Sequence, residues 1–82
     1  MASGLTAYDP LTGAHELGAM WTLLKGPQRL RCLLWTHPHG WELRINTPKG
    51  ELWRTQVCRS QPEVFTLAEA WQSEAKSKGW SE

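Results

Sequence analysis

Cysteine is scarce in this chain, with only Cys32 and Cys58, so a disulfide-rich secreted scaffold is excluded. No apolar run approaches the roughly 18 residues that a membrane-spanning helix needs. A basic n-region followed by an apolar h-region is also missing. These absences lead us to expect a cytoplasmic protein with reduced thiols and no membrane partner. No internal repeat, low-complexity tract or Gly-rich phosphate loop is present. Charge of one sign is also lacking, since the formal net charge is only +1.

Catalytic and metal-binding patterns are equally thin. His15, His37, His39, Cys32 and Cys58 match no Cys/His zinc spacing. The sequence His37-Pro38-His39 sits in a tight loop that is awkward for two ligands on one metal. A Cys–His nucleophile pair needs an orienting group and a pocket, and neither can be named. The expectation is a non-enzymatic protein without cofactor or metal, in which Cys32 is a small core hydrophobe.

What the chain does have is tryptophan: Trp21, Trp35, Trp41, Trp53, Trp71 and Trp80 among 82 residues. A chain of this size holds one domain and buries only about 60% of its unfolded surface. Large aromatic side chains offset that handicap, each removing roughly 150–250 Å² from water when buried. Trp41, Trp53 and Trp71 are expected in the core and Trp80 at a helix end. Trp21 and Trp35 are left as surface candidates.

The net charge conceals a segregation. Between Lys25 and Arg59 there are seven basic residues against two acidic ones, Glu42 and Glu51, while the segments on either side are acidic. This central segment also carries the strand signals, so the predicted sheet is basic. Residues 1–18, rich in small residues and turn formers, form an N-terminal arm, weakly structured. Residues 19–82 form the single domain.

Within that domain, strands are predicted over Ala19–Lys25, Arg29–Thr36, Trp41–Thr47 and Leu52–Arg59, separated by Gly26-Pro27-Gln28, His37-Pro38-His39-Gly40 and Pro48-Lys49-Gly50. Pairing Thr36 with Trp41 aligns Leu34 with Leu43 and Cys32 with Ile45 on one apolar face. The last turn allows two registers: a two-residue Lys49-Gly50 turn places Arg54 and Gln56 beside Ile45 and Leu43. A turn ending in a bulge, with Gly50 in the left-handed region, places Trp53, Thr55 and Val57 beside that face and keeps the core apolar, so it is preferred. For the first hairpin, either Trp21 and Leu23 or Met20 and Leu24 face the core.

The helix signal is the strongest. Ser60-Gln61-Pro62-Glu63 is a capping box with proline in the first turn. Val64, Leu67, Ala68, Trp71 and Ala75 form one apolar stripe. Lys76 and Lys78 suit the C-terminal end of the helix dipole. Gly79 and Trp80 fit the last two positions of a Schellman turn folded onto Ala75. The expected fold is therefore α+β: a four-stranded antiparallel β-meander with one C-terminal amphipathic helix on one face, ββββα. This order of elements resembles that of Whirly and PUR-type nucleic-acid-binding domains, but fold alone does not transmit function.

Alternation then defines the helix-free face. It should carry Arg31, Leu33 and Trp35 from the second strand, Glu42, Arg44 and Asn46 from the third, Arg54, Gln56 and Cys58 from the fourth, and, by register, Thr22 and Leu24 or Trp21 and Leu23 from the first. Its apolar half needs a cover. The arm, through Leu5, Tyr8 and Leu11, is one candidate. Self-association or a protein partner is another. Stacking of single-stranded DNA or RNA bases on Trp35, with arginines on the phosphates, is the third. The expectation is a small binding module, a homodimer or a partner of another protein, acting through Leu33, Trp35, Arg31, Arg44 and Arg54. Single-stranded nucleic acid is the alternative ligand of the same face. Both readings require Arg44 and Arg54 to share a surface and Trp35 to stand clear of the helix.

The runs Trp21-Thr22-Leu23-Leu24-Lys25-Gly26, Arg31-Cys32, Gly40-Trp41-Glu42-Leu43-Arg44 and Arg54-Thr55-Gln56-Val57-Cys58-Arg59-Ser60 resemble short bacterial proteins of unassigned function. The resemblance implies a free-standing bacterial protein and brings no activity, cofactor or partner with it.

Overall fold

The structure is a computed structural model, and it describes residues 8–9, 13–49 and 52–82. Four antiparallel strands form a meander: β2 (Ala14–Lys25), β3 (Gln28–His37), β4 (Gly40–Asn46) and β5 (Leu52–Cys58). A two-residue strand, β1 (Tyr8–Asp9), is added outside β2, so the sheet order is β1-β2-β3-β4-β5. The helix α1 (Gln61–Ser77) packs on one side. This is the expected ββββα fold. The first long strand begins at Ala14 rather than Ala19, so part of the expected arm belongs to the sheet. Most of that arm, including Leu5 and Leu11, lies outside the described residues. Among the described residues no helix is long and apolar enough to cross a membrane.

The middle hairpin pairs as its sequence predicts, with Thr36 opposite Trp41, Leu34 opposite Leu43 and Cys32 opposite Ile45. Gly40 closes it at φ +136°, where a Cβ would run into the Cys58 carbonyl oxygen. The first hairpin places Trp21 and Leu23, opposite Cys32 and Leu30, under the helix. Trp21 is therefore a core residue and not a surface one, and its Nε1 donates to the Ala68 carbonyl at 2.8 Å. Register shifts beside Leu17 and Met20 bend β2. They also leave Met20 partly buried against the same core.

The last hairpin takes the register that was not preferred. Arg54 lies opposite Ile45, Gln56 opposite Leu43 and Cys58 opposite Trp41, while Asn46 faces Leu52. Trp53 is the extra, bulged residue. Gly50 itself lies outside the described residues. Thr55 and Val57 consequently point away from the helix and are exposed. Trp53 is a rim residue, 48% exposed. Cys58, expected on the helix-free face, is fully buried in the core. The physical reason is that β5 is the outermost strand and the helix covers it incompletely. A long polar side chain is tolerated there if its stem lies on an apolar surface and its head finds a partner. Arg54 does both, with its guanidinium 5.0 Å from the Trp71 ring centroid and 3.0 Å from Glu74.

The helix termini follow the sequence closely. The Ser60 hydroxyl accepts the Glu63 amide at 3.2 Å, while the Glu63 carboxylate accepts the Arg59 amide at 2.8 Å rather than that of Ser60. At the other end Trp80 N–H donates to Ala75 and Gly79 N–H to Lys76, the two bonds of a Schellman turn, with Gly79 at φ +99°. The chain then pairs Ser81 with Leu24 through two backbone hydrogen bonds.

Candidate binding surfaces

On the helix-free side, Leu33, Trp35 and Ala14 form a second small core. Trp35 is only 8% exposed, packed with Ala14 and Leu33 and with the Arg44 guanidinium over its ring, 4.1 Å from the centroid. Arg44 is held there by Glu42. Its Nε and Nη2 donate to one carboxylate oxygen at 3.0 and 2.8 Å, and the Thr55 hydroxyl donates to the other. Both charged side chains are more than four-fifths buried. Burial alone would raise the Glu42 pKa. The hydrogen bonds from Thr55 and Arg44, aided by the charges of Arg44 and His37, bring it below the ordinary value instead.

This arrangement corrects the predicted interaction surface. Arg31, Leu33, Trp35 and Arg44 do share the helix-free face, but Arg54 stands on the opposite one, in contact with α1. Leu33 and Trp35 are buried, and Arg44 is neutralised by Glu42. Of the five residues, only Arg31 is exposed. Trp35 offers no free ring face of the kind stacking requires. Its buried Nε1 has no hydrogen-bond partner among the described residues.

The remaining chemistry is subdued. Burial pushes the Cys32 thiol up to about 12, with the neighbouring Cys58 adding to the effect. Cys58 is raised by burial and by Glu63. Neither is a nucleophile at neutral pH. The His37 Nδ1 accepts the His39 amide at 3.1 Å, a local turn bond. Among the described residues no group of three or more His, Cys, Asp or Glu is placed to hold a metal ion.

Two features were missed from sequence. The first is a cleft of about 320 Å³ lined by Lys25, Leu30, Thr47, Pro48, Trp53, Lys78 and Trp80. The Lys25 ammonium sits 5.8 Å from the Trp80 ring and the Lys78 ammonium 5.6 Å from the Trp53 ring. Across Thr47 and Pro48 lies a second cavity of about 320 Å³, lined by Arg29, Arg31, Leu33, Asn46, Thr47 and Pro48. Sequence placed Trp53 in the core and Lys78 in a helix-dipole role, so nothing signalled that they meet. The second feature is the outer edge of β5, which pairs with no further strand among the described residues and whose exposed Leu52 and Val57 lie on the helix-free side.

Comparison with protein-family models, curated proteins and solved structures finds no match to this chain.

Proposed function

We propose that this protein is a small non-catalytic binding module that pairs with a second copy of itself through the outer edge of β5. The carrying observation is the contrast between the two sheet edges. The β2 edge is bent by two register shifts, meets β1 at its start and Ser81 near its end. Such devices are how sheets block edge-to-edge pairing. The β5 edge has no neighbour among the described residues. Its one shift lies at the Trp53 end, and Arg54–Cys58 pairs regularly with β4. Its single charge, Arg54, is turned to the helix and engaged by Glu74.

A second β5 running antiparallel about a two-fold axis supplies complementary backbone groups with no like-charge contact. It also gives Leu52 and Val57, 54% and 36% exposed, an apolar neighbour. The self-association expected from the sequence is thereby moved from the sheet face, which the chain fills itself, to the sheet edge.

Sedimentation equilibrium is expected to give twice the monomer mass, and Leu52→Lys a monomer. Hydrogen exchange on the native chain supplies the second readout. Outward-pointing amides of β5 should be protected at high protein concentration and lose that protection on dilution. A concentration-independent monomer, or β5 exchange that ignores dilution, rules the reading out.

A further inference from the structure

We infer that the two cavities meeting at Thr47 and Pro48, one lined by Trp53 and Trp80 and the other by Arg29 and Arg31, form a binding site for single-stranded nucleic acid. One base would stack in the Trp53–Trp80 cleft and the phosphates would run around Thr47 and Pro48 toward Arg31 and Arg29. The argument starts from what collects there. The cleft holds two indoles, one of them half exposed, and two ammonium groups. Its volume of about 320 Å³ has room for one planar ring system. The second cavity lies on the other side of the same two residues, Thr47 and Pro48, and adds two exposed guanidinium groups. No carboxylate lines either cavity among the described residues. Among those residues no ion pair engages Arg29 or Arg31.

A stacking platform continued by a row of cations is what a single strand recognises, since every base has a π-face and every nucleotide one phosphate. Lys25 and Lys78 lie near the outer limit of a cation–π contact. A base can therefore take their place on the rings and leave the ammonium groups to the phosphate. Lys25 also donates to the Lys78 carbonyl at 3.1 Å, an exposed bond that its ammonium would exchange for a phosphate oxygen. Trp53 is the bulged residue at the start of β5, outside the regular Arg54–Cys58 stretch proposed to pair, so the oligomeric state of each variant is measured beside its binding to keep the two proposals distinguishable.

The test uses the full chain and a fluorescent oligothymidylate of about ten nucleotides, within the span of small single-strand sites, followed by anisotropy. Binding should weaken steeply from about 50 to 200 mM salt. Trp53→Ala should weaken it about tenfold or more, the loss of one stacked base, with the melting temperature held. The double variant Arg29→Gln/Arg31→Gln should lower the salt slope by about two phosphate contacts. An abasic oligomer of the same length should bind about tenfold less well. Equal binding of the abasic strand would reduce the site to a charge patch and overturn the proposal. So would unchanged affinity in Trp53→Ala, thymidine monophosphate binding as tightly as the oligomer, or no binding at low salt.

Discussion

Glu42 is the residue on which the helix-free face turns. It pairs with the Arg44 that lies over Trp35 and takes a hydrogen bond from Thr55, so its carboxylate helps to close an aromatic surface. Its folded-state pKa lies below the ordinary 4.5, so the unfolded chain binds the proton more tightly. The resulting stability is complete above pH 4.5 and is lost as the pH falls below it. Glu42→Gln is expected to cost about 1–3 kcal/mol at neutral pH, the range for charge-assisted bonds to a mostly buried group. It should also flatten the acid limb of a urea-melt stability profile. An unchanged acid limb would assign the pH dependence to other carboxylates. The two thiols give a second residue-scale test. Because both are fully buried and raised in pKa, a thiol reagent at neutral pH should modify them only as fast as the protein unfolds.

At the scale of elements, the helix and the middle hairpin carry the clearest instructions. The Ser60 cap, the Val64–Ala75 stripe and the Gly79-Trp80 ending are each legible because they depend on neighbours within a few residues. Ser60→Ala is expected to cost about 1 kcal/mol, a fall of roughly 4–8 °C in melting temperature for a chain of this size. Gly40→Ala should be worse. It forces a side chain into a positive-φ position against the Cys58 carbonyl and the Arg59 Cα, the latter 3.2 Å away. A loss of about 2 kcal/mol or more is expected, read by denaturant unfolding. A near-neutral result would show that the turn can shift away from β5. The first and last hairpins were less legible. Their turns allow two registers, and choosing between them by apolar content alone fails where the helix covers the sheet incompletely, as it does over Arg54.

For the whole molecule, the decisive fact is that two cores are built on a single sheet. The larger one joins Trp21, Leu23, Leu43 and Ile45 to Val64, Ala68 and Trp71 beneath the helix. The smaller one, around Leu33 and Trp35, is closed by the chain's own Arg44. Trp71→Ala should therefore cost about 3–5 kcal/mol, and by calorimetry or urea melts it should leave little folded protein at ambient temperature.

The sequence by itself determined the ββββα order, the helix limits and the pairing of β3 with β4, because those rest on local periodicity, capping and short turns. Only the tertiary structure decided that Arg54 turns to the helix, that Arg44 seals Trp35, and that Trp53 and Trp80 meet across Lys25 and Lys78. Each of those outcomes depends on a register slip of one residue or on side chains far apart in the chain. No local pattern encodes either, since a one-residue slip exchanges the two faces of a strand while leaving its composition untouched.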